Sequence, residues 1–337
     1  MMIDKIETNP IPQHILRSNE SFFTHEDFTE TSIIEYGKHH VVTKAILQQT
    51  SGGITMAIKR PYLPQYSDNN MKRAMKREAV VGNRLGTHKN IIGVLDWGRE
   101  DIPWIAMNYA DGGTLYEKKD DMSFEQLLWT CIHIAKAIQY AHRNNILHSD
   151  IKNTNIVFQD TSDVWNTPKL LDWGSSDGDA EWVPKYADGK QYKSFPSGFI
   201  NTTARKTTGG DSHVLSPEHL RYREGTGNPS DYDNRTDIYQ LGAMFYHLLT
   251  GIPTYNTRDN NIPRKKQKKI RNNDIINTST QPKTPSEISS VPKSLDNILL
   301  KALKTRKKDR YQHVHQFKQD LVRVYNEEAD SHHPNAY

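Results

Sequence analysis

From residue 33 the chain alternates short β-branched runs with glycine-bearing turns: Ile33-Ile34-Glu35-Tyr36-Gly37, then Val41 to Leu47, then Gly52-Gly53, then Ile54 to Lys59. This rhythm predicts an antiparallel meander. Asn70 to Leu85 has helical period, with Ala74, Val81 and Leu85 as an apolar stripe and Glu78 beside it. Two more strands are expected at Ile91 to Trp97 and Trp104 to Tyr109, so five strands and one helix make a small lobe. Asp111-Gly112-Gly113-Thr114-Leu115 reads as a flexible connection, and helix periodicity dominates afterwards. Phe124 to Arg143 carries an apolar face through Leu127, Leu128, Cys131, Ile134, Ala135, Ile138 and Ala141, and ends at Asn144-Asn145, residues that tolerate a left-handed turn. Ile156-Val157-Phe158 and Lys169-Leu170-Leu171 bracket a turn and predict a hairpin that runs into Asp172-Trp173-Gly174. Phe245 to Thr250 continues an apolar helix stopped by Gly251-Ile252-Pro253, and Leu295 to Lys304 and Val314 to Tyr325 are the closing helices. Residues 1–30, polar and containing Pro10 and Pro12, read as an extended arm or a short packing extension.

Composition narrows this picture. A chain of 337 residues exceeds what one core usually serves and suggests two domains or lobes. A hydrophobic fraction of 35%, 25% charged residues and a mean hydropathy of -0.79 fit a soluble protein with long polar loops. The sequence lacks a run of about 18 apolar residues, and Met1-Met2-Ile3-Asp4-Lys5 does not open a signal peptide. No membrane span is expected, and a cytoplasmic location follows. The one cysteine, Cys131, lies in the helical pattern, which excludes a disulfide framework and predicts a buried thiol. Net charge is only +4, with a pI near 8.8, but Arg264-Lys265-Lys266-Gln267-Lys268-Lys269-Ile270-Arg271 is densely basic. Such a run can meet nucleic acid or an acidic partner by counterion release; without interleaved aromatics to stack on bases, a solvated, mobile loop is expected.

The candidate chemistry centres on His148-Ser149-Asp150-Ile151-Lys152-Asn153-Thr154-Asn155, ahead of Ile156 to Phe158. An Asp able to accept a hydroxyl proton, a Lys able to neutralise a migrating phosphate and an Asn able to hold a metal fall within six positions. Taken alone, the segment is equally a polar connection from helix to strand. Lys59 closes an apolar strand and Glu78 sits in the following helix, an arrangement by which a cation for a nucleotide's inner phosphates is itself held. Asp172, next to Trp173-Gly174 at the mouth of the hairpin, can reach a phosphate-bound metal.

These residues resemble the eukaryotic-like serine/threonine protein kinase family, over about residues 30 to 325. Met56-Ala57-Ile58-Lys59 is similar to the family's Val-Ala-Ile-Lys strand, and Glu78 to its helix glutamate. His148-Ser149-Asp150 with Lys152 and Asn155 resembles the catalytic loop, Asp172-Trp173-Gly174 the Asp-Phe-Gly, and Ser216-Pro217-Glu218 the Ala-Pro-Glu. Asp237-Ile238-Tyr239-Gln240-Leu241-Gly242 resembles the buried helix whose Asp supports the catalytic loop, and Arg310 stands where the partner of Glu218 is expected. Each motif is weak singly; their order and separations together are specific.

The resemblance implies an α+β, two-lobed protein kinase fold with a five-stranded N-lobe and a larger helical C-lobe. The bounds are an extension 1–30, a kinase domain 31–325 (N-lobe 31–107, hinge 108–114, C-lobe 115–325) and a tail 326–337. It implies ATP and Mg²⁺ as cofactors and a protein serine or threonine as acceptor. Asp150 would orient or deprotonate that hydroxyl, Lys152 stabilise the γ-phosphoryl, and Asn155 and Asp172 hold Mg²⁺. Lys59, oriented by Glu78, would bind the α- and β-phosphates. Met107 would guard the back of the adenine pocket, the backbone of Asn108 and Ala110 would meet the adenine edge, and Val42, Ala57 and Val157 its faces. The Asp-x-Lys spacing of Asp150 and Lys152 is the serine/threonine form, and Ser216-Pro217-Glu218 with the Asp237 helix favours a protein substrate over a small molecule. The C-terminal third looks most like kinases of bacterial type, with no membrane anchor expected here.

The chain also departs from the family. Gly37-Lys38-His39-His40-Val41-Val42 keeps only the first glycine of the phosphate-covering loop, so Lys38, His39 or His40 contact phosphate by charge or the loop is a plain strand turn. Ser149 replaces the usual Arg before the catalytic Asp, which predicts activity independent of phosphorylation of the activation segment, whose candidate acceptors are Thr202, Thr203, Thr207 and Thr208. Trp173 for Phe is expected to be harmless packing, and Gly82 is expected to loosen its helix by about 1 kcal/mol. The long segment from Asp172 to Glu218 contains Trp182, Tyr186, Tyr192, Phe195 and Phe199, which suggests that part of it is packed, and Asp211 falls where a Thr is usual, or Ser212 does on a one-residue shift. The tail's His332 and His333 are expected to be frayed rather than metal-binding. The alternative function is a pseudokinase serving as a binding or scaffolding module, which the complete set Lys59, Glu78, Asp150, Lys152, Asn155 and Asp172 opposes.

Overall fold

The computed structural model describes residues 27–36, 40–48, 53–61, 69–98, 103–160, 167–175, 177–178, 214–255, 261 and 264–332. They divide into two units: the described residues up to Thr87 with Ile92–Tyr109, and His88–Ile91 with the described residues from Ala110 onward.

The first unit is the expected five-stranded antiparallel sheet with one helix. Its strands are β1 (Phe28–Tyr36), β2 (His40–Leu47), β3 (Ile54–Pro61), β4 (Val94–Gly98) and β5 (Trp104–Asn108), ordered β1-β2-β3-β5-β4. Its helix α1 spans Asn69–Leu85. One face of the sheet buries Ala45, Leu47, Met56, Ile58, Trp104 and Ala106. Each large side chain there contributes about 1.5–3 kcal/mol. Phe28 joins this layer edge-on to Trp104, at 5.1 Å between ring centres, so β1 begins within the stretch read as an arm. The start is hard to read because Thr31 to Glu35, on the sheet edge, are all exposed and show no alternation. Ile91 does not open β4; it belongs to the other unit and bridges there to Leu170. On the helix side, Met75 and Ala79 meet Val94 and Ile105. Gly82 is there for space rather than at a loss: a Cβ on it would lie 2.2 Å from Val94 Cγ2, so only glycine lets α1 settle on β4.

The second unit is mostly helical: α2 (Leu115–Lys118), α3 (Phe124–Arg143), α4 (Pro217–Arg223), α5 (Asn234–Thr250), α6 (Arg264–Ile276), α7 (Ser294–Ala302) and α8 (Val314–His332). Short strands β6 (Ile146–Leu147) with β9 (Asp177–Gly178), and β7 (Ile156–Phe158) with β8 (Pro168–Leu170), make two hairpin-like pairs. Ser123 and Gln126 cap α3 reciprocally, which sets its start, and Asn145 at φ +56° turns the chain out of it. Thr236 to Tyr246 of α5 are all buried, so α5 is the central rod of this unit. No helix among the described residues is long and apolar enough to cross a membrane.

Three expectations change here. The segment 111–115 is not a free connection: Gly112 N–H donates to Phe158 O at 3.0 Å and Phe158 N–H to Gly113 O at 3.0 Å. A Cβ on Gly112 would stand 2.4 Å from Asp160 O, so glycine allows backbone to meet backbone there. The basic run is the helix α6 and not a loop, anchored through buried Arg271 and Ile275. Finally, α8 continues through His332 rather than stopping at residue 325.

Candidate active site

In the first unit Lys59 is no solvated strand end. Its Nζ donates to both Glu78 carboxylate oxygens, at 2.8 and 2.7 Å, and both residues are buried. Burying such a pair is costly, and removing one partner typically costs about 3–5 kcal/mol. In the sheet, Lys59 lies opposite Val42 and Ile105, and Ala57 opposite Met107, so the register aligns these expected nucleotide contacts along β3. Met107 is half-buried against the Met75 cluster. Asn108 is exposed, and its N–H is donated to Gly93 O at 2.9 Å, which turns the expectation for Asn108 to its carbonyl. Gly37, Lys38 and His39 lie outside the described residues, while His40 opens β2.

In the second unit the loop from His148 is gripped from below by α5. Asp237 accepts the backbone N–H groups of His148 at 2.9 Å and Ser149 at 2.8 Å. Gln240, one turn on, accepts from Ile151 N–H at 3.3 Å and donates to Ser149 O at 3.2 Å. His142, in the last turn of α3, donates Nε2–H to Asp237 Oδ2 at 2.8 Å. Gln240 and His142 were not singled out from the sequence. The available signals were the i, i+3 spacing of Gln240 from Asp237 and a His next to the α3 terminus.

The side chains above this clamp converge. Lys152 Nζ bonds Asp150 Oδ2 at 2.7 Å. Asn155 Nδ2 reaches Asp150 O at 2.9 Å, and Asn155 O accepts from Leu171 N–H at 3.0 Å, which ties the loop to the residue before Asp172. His148 accepts Asp150 N–H on Nδ1 and donates from Nε2 to Leu171 O at 3.1 Å, with Trp173 tilted over its ring at 4.6 Å. Burial holds His148 below the usual histidine value, consistent with this neutral tautomer. Burial also pushes the Asp150 carboxyl up, with Asp172 adding to the rise and Lys152 opposing it. Asp172 itself adopts φ +67°, and Ser149 φ +64°. Val157 is half-buried on β7 and bridges to Thr114, and Ala110 is half-buried at the start of this unit.

Asn155 and Asp172 suit a hard, oxygen-seeking cation: one offers a carboxylate, and the other, its amide nitrogen engaged by Asp150, an amide oxygen. Among the described residues no three His, Cys, Asp or Glu side chains gather into a metal cage. Below the loop, Glu218 of α4 receives Arg310 at 2.8 and 2.9 Å as expected. Cys131 is buried, and burial pushes its thiol far up, so it plays no nucleophilic part. Trp182, Tyr186, Tyr192, Phe195, Phe199, Thr202, Thr203, Thr207, Thr208, Asp211 and Ser212 lie outside the described residues.

Comparison with known proteins agrees with this geometry. The family described as "Protein kinase domain" matches residues 28–322. A probable serine/threonine-protein kinase of Clostridium perfringens is 28% identical over 256 residues, covering 75% of this chain and 32% of that protein. The serine/threonine-protein kinase PknB of Mycobacterium tuberculosis is 29% identical over 261 residues, 75% of this chain and 36% of its own length. The serine/threonine-protein kinase PrkC of Bacillus subtilis is 29% identical over 279 residues, 80% of this chain and 36% of its own. The chain thus spans about a third of the length of these curated relatives. With a strand lysine held by a helix glutamate, a clamped Asp-x-Lys loop and a match over most of its length, the chain belongs to the protein kinase family, among relatives of bacterial serine/threonine type.

Proposed function

We propose that this chain transfers the γ-phosphoryl group of ATP to a serine or threonine hydroxyl of a protein, with Mg²⁺ as the metal. The observation that carries the reading is the loop in which Lys152 and Asn155 are hydrogen-bonded to Asp150 while Asp237 and Gln240 hold the backbone of the adjoining His148, Ser149 and Ile151. Asp150 orients the acceptor hydroxyl and takes its proton as the oxygen bonds the γ-phosphorus and the bond to the β-phosphate oxygen breaks, releasing ADP. A carboxyl raised by burial is a stronger base than one in water, which suits that task. Lys152, within reach of Asp150, offsets charge on the transferring group. Bound at Asn155 and Asp172, Mg²⁺ supplies neutralisation of phosphate charge. Lys59, fixed by Glu78, holds the inner phosphates, and Gly37 is assigned to the loop over them. The adenine is assigned to Val42, Ala57 and Val157 at its faces, Met107 at its back, and the Asn108 carbonyl and Ala110 backbone at its edge.

The test is autophosphorylation and transfer to a generic protein with Mg-ATP, comparing the native chain with Asp150→Asn and Asp172→Asn. Asp150→Asn is expected to lose about 10²–10⁴-fold in rate, and equal signal from all three proteins would end the reading. Ser149 in place of the usual Arg further suggests activity without activation-segment phosphorylation. Alanine at Thr202, Thr203, Thr207 and Thr208 is then expected to leave activity standing.

A further inference from the structure

The kinase reading uses nothing of α6, yet α6 carries the densest charge in the chain. Arg264, Lys265, Lys266, Lys268 and Lys269 are all exposed, and none has an acidic partner among the described residues. The second half of the helix is anchored: Arg271 and Ile275 are buried, Arg271 donates to Tyr255 O at 3.2 Å, and Arg221 of α4 reaches Ile276 O at 3.4 Å. The first half therefore presents its cations to solvent over about 200° of arc and about 8 Å of rise.

Local stability does not account for them. The first turn of a helix favours acids, and this one has none. The acid of the helix, Asp274, lies beyond i+4 of every one of the five and compensates none of them. The charges oppose the helix they sit on, so their use is outward. The patch is short, lacks aromatics, and belongs to a chain of net charge +4. A long polyanion would find only a few contacts there, whereas a short acidic peptide segment matches it in length and sign. The location is suggestive too: α6 rests on α4, which begins at Ser216-Pro217, the end of the segment that starts from Asp172.

We infer that the first half of α6 is a docking surface for an acidic, Asp/Glu-rich stretch of the protein substrate, recruiting it by charge to the unit that holds Asp150. The word substrate rests on the kinase reading above; the docking surface does not. The test begins with binding. A fluorescent peptide of about eight glutamates is titrated by anisotropy into the full chain and into the quadruple variant K265E/K266E/K268E/K269E, at about 50 and 200 mM salt. The native chain is expected to bind at low salt and to weaken as salt rises, and the variant to lose about tenfold or more. Turnover follows with two peptides sharing one acceptor sequence, one extended by the glutamates. The extension is expected to lower KM about tenfold in the native chain with kcat unchanged, and to have no effect in the variant. The variant's thermal midpoint is expected to match or exceed the native one, and the corresponding four-glutamine variant checks that loss of binding follows loss of positive charge. Equal peptide binding by native and variant chains would overturn the inference. So would a duplex of about 20 base pairs binding at least tenfold more tightly than the peptide through the same residues, which would give the surface to nucleic acid. A chain that binds the peptide and phosphorylates nothing, itself included, sinks the kinase reading and keeps the docking surface.

Discussion

Ser149 stands at φ +64°, a left-handed conformation that costs a non-glycine residue about 1–2 kcal/mol. Its hydroxyl is buried and has no hydrogen-bond partner among the described residues. Both facts set the side chain against the fold, while its backbone N–H and C=O are held by Asp237 and Gln240. Ser149→Gly is therefore expected to keep the loop and raise stability by up to about 1 kcal/mol, measured by denaturant midpoint, with kcat within a few-fold of native. A fall of several kilocalories would show instead that the hydroxyl is hydrogen-bonded in solution. The replacement of Arg by Ser was plain in the sequence, but the strain was not, because a φ value leaves no mark in a string of residue types. His142 and Gln240 were hidden for a similar reason: each is an ordinary polar residue on a helix until the helix it faces is known.

Among elements, α3 was legible to the residue and α6 was not. Ser123 and Gln126 announce the start of α3, and its apolar face repeats for 20 residues. In α6 the buried pair is Arg271 and Ile275, so its inward face shows almost no hydrophobic period. β1 was clipped because an edge strand with five consecutive exposed residues alternates with nothing. The clamp from α5 predicts a separable effect. Asp237→Asn replaces a charged acceptor of two N–H groups by an amide with one oxygen, and each such bond to a charged group contributes about 1.5–3 kcal/mol. The expected outcome is a fall in kcat of about 10–100-fold with a smaller rise in KM for ATP, because Lys59 and Glu78 belong to the other unit while Asn155 shares the clamped loop. A matching rise in KM would assign Asp237 to nucleotide binding instead.

At the scale of the whole molecule, the order of elements and the distant pairs Lys59–Glu78 and Glu218–Arg310 were legible because their motifs keep their order even where the loops between them differ in length. Arg310 also donates to the carbonyls of Lys304, Arg235 and Thr305, so its guanidinium gathers α4, α5 and the turn after α7. Arg310→Lys keeps the charge and loses the fork, and is expected to cost most of the about 3–5 kcal/mol of a broken buried pair. Burial raises the Glu218 carboxyl, but the Arg310 hydrogen bonds outweigh it and hold the group below its ordinary 4.5. Its stabilising effect is thus present above pH 4.5 and lost as pH falls below that value. Buried His148 and His133 and half-buried His88 are held below 6.5, chiefly by desolvation, so the unfolded chain takes up protons below that pH that the fold refuses. Stability by urea titration is expected to decline first below about pH 6.5 and again below about pH 4.5, the second step flattening in Arg310→Lys.

The grip of α5 on main-chain atoms has one more consequence. Since Asp237 and Gln240 recognise Ser149 only through its amide and carbonyl, the position can drift in side chain without moving Asp150. On the proposed function, form and control are uncoupled at this residue: a single substitution would change how the reaction is governed, on a frame that holds only its main chain.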